Sequence, residues 1–124
     1  MTKTAMRKKL DKLWGQVVHA RGDGCIIASG CAGKLEAHHL IPKTHFATRF
    51  APCNGVLLCS KHHIFSSELS AHGASLAFAE WLQDNRIDLW EYHCEHKHDL
   101  VKVSMPWYEE QAVSLAAWLE GGEP

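Results

Sequence analysis

Several features that would place this 124-residue chain in a membrane or a secretory route are missing from it. No apolar run approaches the roughly 20 residues needed to cross a bilayer. The N-terminus is basic but has no apolar h-region, so no secretory signal is visible, and a cytoplasmic location is the expectation. Internal repeats, low-complexity tracts and linkers long enough to divide domains are absent too, so one domain over residues 1–124 is expected. A chain of this size can bury a modest core. Its 46% hydrophobic and 22% charged content is ordinary for a globular domain. Net charge is also scarce, at −1, which at first argues against a polyanionic partner.

The distribution of that charge reverses the impression. Residues 1–63 carry ten Lys and Arg against three Asp and Glu, a balance of +7; residues 64–124 carry three against eleven, a balance of −8. A basic half is what phosphate docking requires. Two oppositely charged solvated surfaces would give the same count. The chain is also rich in metal-ligand types, with five cysteines and ten histidines. An odd cysteine count without a secretory signal reads as metal binding before disulfides.

Hydrophobic periodicity outlines the elements. Met6, Leu10, Leu13, Trp14, Val17 and Val18 recur at helical spacing over residues 4–20, and Gly22-Asp23-Gly24 ends the pattern. Residues 25–33 suit a turn held by metal. Residues 34–40 read as a short strand, 42–52 as a loop, 56–58 as a second strand and 59–68 as a helix. Further helices are expected at 74–85, with Phe78, Trp81 and Leu82 on one face, and at 87–98, with Leu89, Trp90 and His93 inward. Residues 101–103 form a weak strand or an extended link. Pro106 should open a last helix, buried along Tyr108, Ala112, Leu115, Ala116 and Leu119 and closed by Gly121-Gly122. Trp81, Trp90, Trp107 and Trp118 fall on these stripes and read as core.

The most informative segment is Glu36-Ala37-His38-His39-Leu40-Ile41-Pro42, followed by Asn54 and then His63 nine positions later. It supplies a general base, a group to orient it and ligands for one divalent cation. These blocks resemble the HNH endonuclease motif of the ββα-metal nucleases. The stretch from His39 through Arg49 to Asn54, with the helical segments after His63, more narrowly resembles NinG/Rap-like phage recombination nucleases. The resemblance implies an α+β fold with a small ββα-metal core flanked by N- and C-terminal helices. It implies His39 as the general base, Asn54 as the residue that pins the loop beside it, and His38 and His63 as ligands of the catalytic ion. The family often has Asp where His38 stands, so an imidazole pair leaves Mg²⁺, Mn²⁺, Ni²⁺ and Zn²⁺ open. Adjacent residues of a regular strand face opposite ways, so a strand end or bulge must let His38 and His39 serve one reaction.

A second metal group is suggested by Cys25, Cys31, Cys59 and His62, which together could make a tetrahedral structural zinc site. Many HNH proteins carry two C-x₂-C pairs in these places. This chain departs by a longer first spacing and by His62 in place of the last cysteine. Zinc there would fasten the loop after the first helix to the helix carrying His63. Cys53, beside Pro52, reads as a buried thiol. Cys94 and His98, four apart, are the other source of zinc ligands, though a solvated helix face explains them as well. Lys43, His45 and Arg49 lie where a substrate strand would pass, and Arg49 and Lys43 are the candidate phosphate contacts. The combined expectation is a metal-dependent endonuclease acting on DNA, with no membrane partner, in phage or prophage recombination or DNA processing. Two alternatives are a non-catalytic zinc-dependent DNA-binding module and a nuclease component of a phage packaging machine.

Overall fold

The first helix, α1 (Lys3–Arg21), begins where the Thr2 hydroxyl accepts the Ala5 N–H at 3.1 Å. It stops at Gly22, whose N–H returns to the Val18 carbonyl. Met6, Leu10, Trp14, Val17 and Val18 form its buried stripe, as their spacing requires. Each such side chain taken fully out of water contributes roughly 1.5–3 kcal/mol. The structure, a computed structural model, describes residues 1–121. It is α+β. No helix among the described residues is long and apolar enough to cross a membrane.

After the loop that holds Cys25 and Cys31, strand β1 (Leu35–His39) pairs antiparallel with β2 (Gly55–Cys59). Between them lie a short helix, α2 (Phe46–Arg49), and a 3₁₀ turn at Pro52–Asn54. The register sets Glu36 opposite Leu58, His38 opposite Val56 and His39 opposite Gly55. Strand alternation then sorts these residues onto two faces. Ala37 and Leu57 join the core built from α1, Phe50 and the last helix. Val56 and Leu58 join a second core with Ile27, Ala71, Phe78 and Leu82. Gly55 lets α1 lie directly on the sheet, since a Cβ there would collide with Val18 Cγ2 and Trp14 Cζ2.

The expected helix over residues 59–68 is much shorter than its pattern suggests. Only Lys61–Phe65 winds, as a single π-helical turn, and Ser66 leaves it in extended conformation. Serine hydroxyls supply the reason. Ser66 Oγ accepts the N–H groups of Glu68 and Leu69, and Ser70 Oγ donates to the Ser66 carbonyl at 2.6 Å. Such local bonds compete with a continuing helix. The chain instead doubles back, so that Ala71 N–H reaches the His62 carbonyl and His72 N–H the His63 carbonyl, both at 2.8 Å.

Helices α3 (Ser75–Asn85) and α4 (Ile87–His96) follow, with Phe78 and Leu82 buried. Residues 97–104 form no strand. Helix α5 (Met105–Gly121) packs on α1. Its buried stripe is Tyr108 and Leu115, with Ala112 and Trp118 half-buried, while Ala116 and Leu119 are exposed. The stripe is rotated from the expected one because Trp118 lies under the Arg21 guanidinium, 4.7 Å from its carbon, and Trp107 and Tyr108 pack on Phe50. Gly122, expected to help end this helix, lies outside the described residues.

Candidate metal centre and catalytic cleft

Asn54 organises the loop between the strands. It is 0% exposed, and all its polar capacity faces that loop. Its Oδ1 accepts the Ile41 N–H at 2.7 Å; its Nδ2 donates to the carbonyls of Ile41 (2.9 Å) and Thr48 (3.2 Å). Its own carbonyl accepts the Leu40 N–H at 2.9 Å. The chain just past His39 is therefore tied to the turn that precedes β2.

That turn in turn holds His39. Its Nε2 lies 3.0 Å from the Arg49 carbonyl oxygen. A carbonyl can only accept, so neutral His39 carries its proton on Nε2 and leaves Nδ1 as a lone-pair acceptor. The ring also stacks on Trp14, with centroids 3.7 Å apart and planes 6° apart. Burial lowers the His39 pKa; the Arg49 carbonyl and Asp11 oppose this, and Arg49 and Lys43 reinforce it. The net shift favours the neutral ring at physiological pH.

The sequence offers Arg49 as a phosphate contact, but the structure turns it inward, with 9% of its surface exposed. Its Nε and Nη2 bind the Asp11 carboxylate on α1 at 3.0 and 2.8 Å, and its Nη1 donates to the Lys43 carbonyl at 3.1 Å. The guanidinium fork fixes the backbone carbonyl that orients His39. Lys43 itself is exposed at the rim of the cleft.

His38 points to the opposite face of β1 and meets His63 and His72. Ring centroids are 5.1 Å apart for His38 and His63, 5.0 Å for His38 and His72, and 4.9 Å for His63 and His72. One ligand atom from each lies within 4.8 Å of the others, so the group is placed to hold a metal ion. Burial, with the nearby His63, His72 and His39 rings, pushes the His38 pKa down to about 3. Burial and His63 also lower that of His72. Both imidazoles therefore offer lone pairs at neutral pH. Glu36, two residues from His38 on the same face, has Oε1 2.9 Å from His63 Nδ1. That bond fixes the proton on Nδ1 and leaves Nε2 for an ion.

Cys25, Cys31, Cys59 and His62 come together in a second group able to hold a metal such as zinc. The three sulfurs lie 3.6, 3.8 and 3.3 Å from His62 Nδ1. Zinc bonds of about 2.3 Å to sulfur and 2.0–2.1 Å to nitrogen give a tetrahedral edge of about 3.6 Å. Desolvation, with hydrogen bonds to Cys25 and Cys59 and their charge, pushes the Cys31 thiol up to about 11. Burial would raise the Cys59 thiol as well, but the His62 and Ala32 N–H groups outweigh it and hold its pKa below the ordinary value. Sulfurs so close resist a common thiolate state until a cation joins them. Adjacent histidines on the π turn thus serve different groups, His62 the sulfurs and His63 the imidazoles.

A cleft of about 670 Å³ joins the imidazole group to His39. His38, His39, His63, His72 and Lys43 line it together with Phe78, Leu82, Trp90 and His93. Trp90 and His93 stack with centroids 5.3 Å apart. His72 escapes the sequence pattern, because a lone histidine in a Ser- and Gly-rich link carries no spacing signal. Cys53, expected to be buried, is exposed. It sits on the one-turn 3₁₀ segment whose inward positions are taken by Pro52 and Asn54. Cys94 and His98 are exposed and, among the described residues, belong to neither candidate metal group. Compared with protein-family models, curated proteins and solved structures, the chain gives no significant match.

Proposed function

We propose that this chain is a divalent-metal-dependent endonuclease of the HNH type that hydrolyses phosphodiester bonds in DNA. The observation that carries the reading is the division of labour at the end of β1. His38 joins the imidazole group on one face, His39 is held as a neutral acceptor on the other, and both line one cleft. A scissile phosphate between them would have the ion on one side and a water beside His39 Nδ1 on the other. The ion's chemistry would be to polarise the phosphate and stabilise the leaving 3′-oxygen. His39 takes the proton from water, while Arg49 and Trp14 hold its ring and Asn54 holds the loop. Lys43 at the rim supplies a phosphate contact. Phage or prophage recombination is the setting this motif pattern suggests, with branched DNA as a substrate.

The test is cleavage of duplex, single-stranded and four-way-junction DNA with Mg²⁺, Mn²⁺, Ni²⁺ and Zn²⁺ in turn. Metal-dependent cutting that chelator abolishes supports the reading. DNA binding without cleavage under every ion would replace it with a zinc-dependent binding module.

A further inference from the structure

His72 lies outside the HNH pattern, and its position is built rather than incidental. The link that carries it is knitted to the π turn by the paired backbone bonds Ala71 to His62 and His72 to His63. Ser70 Oγ binds the Ser66 carbonyl and accepts the Gly73 N–H at 2.9 Å. Gly73 has no room for a Cβ, which would meet the Ile64 carbonyl oxygen at 2.5 Å and that of Ser66 at 2.7 Å. The next residue back is therefore held against His63 by its own main chain.

The geometry points to His72 as the third protein ligand of the ion held by His38 and His63, completing a three-imidazole centre that selects a late first-row ion, such as nickel or zinc, over magnesium. The donor chemistry decides the selectivity. Imidazole suits Fe, Ni, Cu and Zn, whereas Mg²⁺ demands oxygen ligands. Glu36, the carboxylate beside the group, is hydrogen-bonded to His63 Nδ1 and so stands behind a ligand. The ligands are also arranged asymmetrically. His38 is buried at the back, His72 is exposed at the front, and all three line the cleft. Three ligands on one side leave positions open toward a phosphate oxygen and water, as a catalytic centre needs. This deepens the nuclease reading and rests on it for the ion's role in cleavage, though not for the ion's presence.

The experiment titrates protein loaded with a single zinc per chain, enough for the sulfur group alone, with Ni²⁺ and with Mg²⁺, reading heat and bound metal per chain. Native protein should take up one further Ni²⁺, at least about a hundredfold more tightly than Mg²⁺. His72→Ala should weaken that Ni²⁺ binding by about 10–100-fold, the range seen when even a ligand's supporting partner is removed. Its tightly held zinc and its circular dichroism should not change, because His72 is exposed and contributes no core packing. His72→Asp should narrow the preference by supplying a hard oxygen donor. Unchanged Ni²⁺ affinity in His72→Ala would overturn the assignment, as would Mg²⁺ binding as tightly as Ni²⁺. If the second ion binds through His72 but no DNA is cut, the metal centre stands and the nuclease reading falls. If Mg²⁺ alone supports cutting and His72→Ala cuts equally well, the reverse holds.

Discussion

The two groups of this chain that could hold a metal ion meet at adjacent residues, His62 and His63, yet they are built differently. The sulfur group has three sulfurs at near-tetrahedral separations from its fourth donor, His62 Nδ1, with Cys59 and His62 both buried. Four protein donors leave a zinc ion no open position, which is the mark of a structural site. The imidazole group has three donors, the outermost exposed, and opens on a cleft of about 670 Å³. The contrast teaches that donor count and access, more than donor identity, decide whether a bound ion would be closed in or left within reach of a ligand. It also explains why the π turn matters. By sending His62 one way and His63 the other, it places the first group so that a zinc ion held there would brace the second.

The comparison breaks first at the sulfur group. Cys59→Ser removes one of four donors from a group where a bound zinc would be linked to folding by on the order of 10 kcal/mol. The expected outcome is loss of about one zinc per chain and of the cooperative thermal transition, read by metal analysis and calorimetry. A variant that keeps its zinc and its melting temperature would show that the group holds no structural ion.

Asn54→Ala should come next. It leaves the buried Ile41 N–H and the Ile41 and Thr48 carbonyls without their side-chain partner, at a cost of about 3 kcal/mol or more in denaturant unfolding. Zinc content should stay near one. Equal zinc loss would mean the two regions are not separable units. Gly55→Ala probes the shared sheet, where overpacking against Val18 and Trp14 should cost about 1–3 kcal/mol by the same measurement. The smallest effect sharpens the electrostatic side. Lys43→Ala should flatten the salt dependence of DNA binding by about one unit, whereas Arg49→Ala should lower stability with little change in that slope. The opposite pattern would return Arg49 to the phosphate.

Much of this arrangement can be read from the chain alone, and the rest fails for identifiable reasons. The stripe of α1 and the short strands β1 and β2 are local patterns that the fold keeps. The four donors Cys25, Cys31, Cys59 and His62 are recognisable because two of them share one short spacing. His72 is invisible because its partner His63 is reached by a reversal that Ser66, Ser70 and Gly73 create, and no periodicity marks it. Arg49 reads as a surface phosphate ligand because its true partner, Asp11, is 38 residues away on another element. The 59–68 helix fails because side-chain hydroxyls capture backbone groups that a propensity argument assigns to helix. The rotated stripe of α5 is decided by Trp118 meeting Arg21, again a distant pairing.

The central claim is that one strand end divides metal binding from proton removal. It is tested most directly by comparing His38→Ala with His39→Ala, reading bound metal and DNA cleavage on the same preparations. His38→Ala should lose the second ion, and cleavage with it. His39→Ala should keep both metals and its fold while cleavage falls about 10²–10⁴-fold, the contribution of a general base. If His39→Ala cuts near the native rate, or if the two variants lose the second ion alike, the division does not exist.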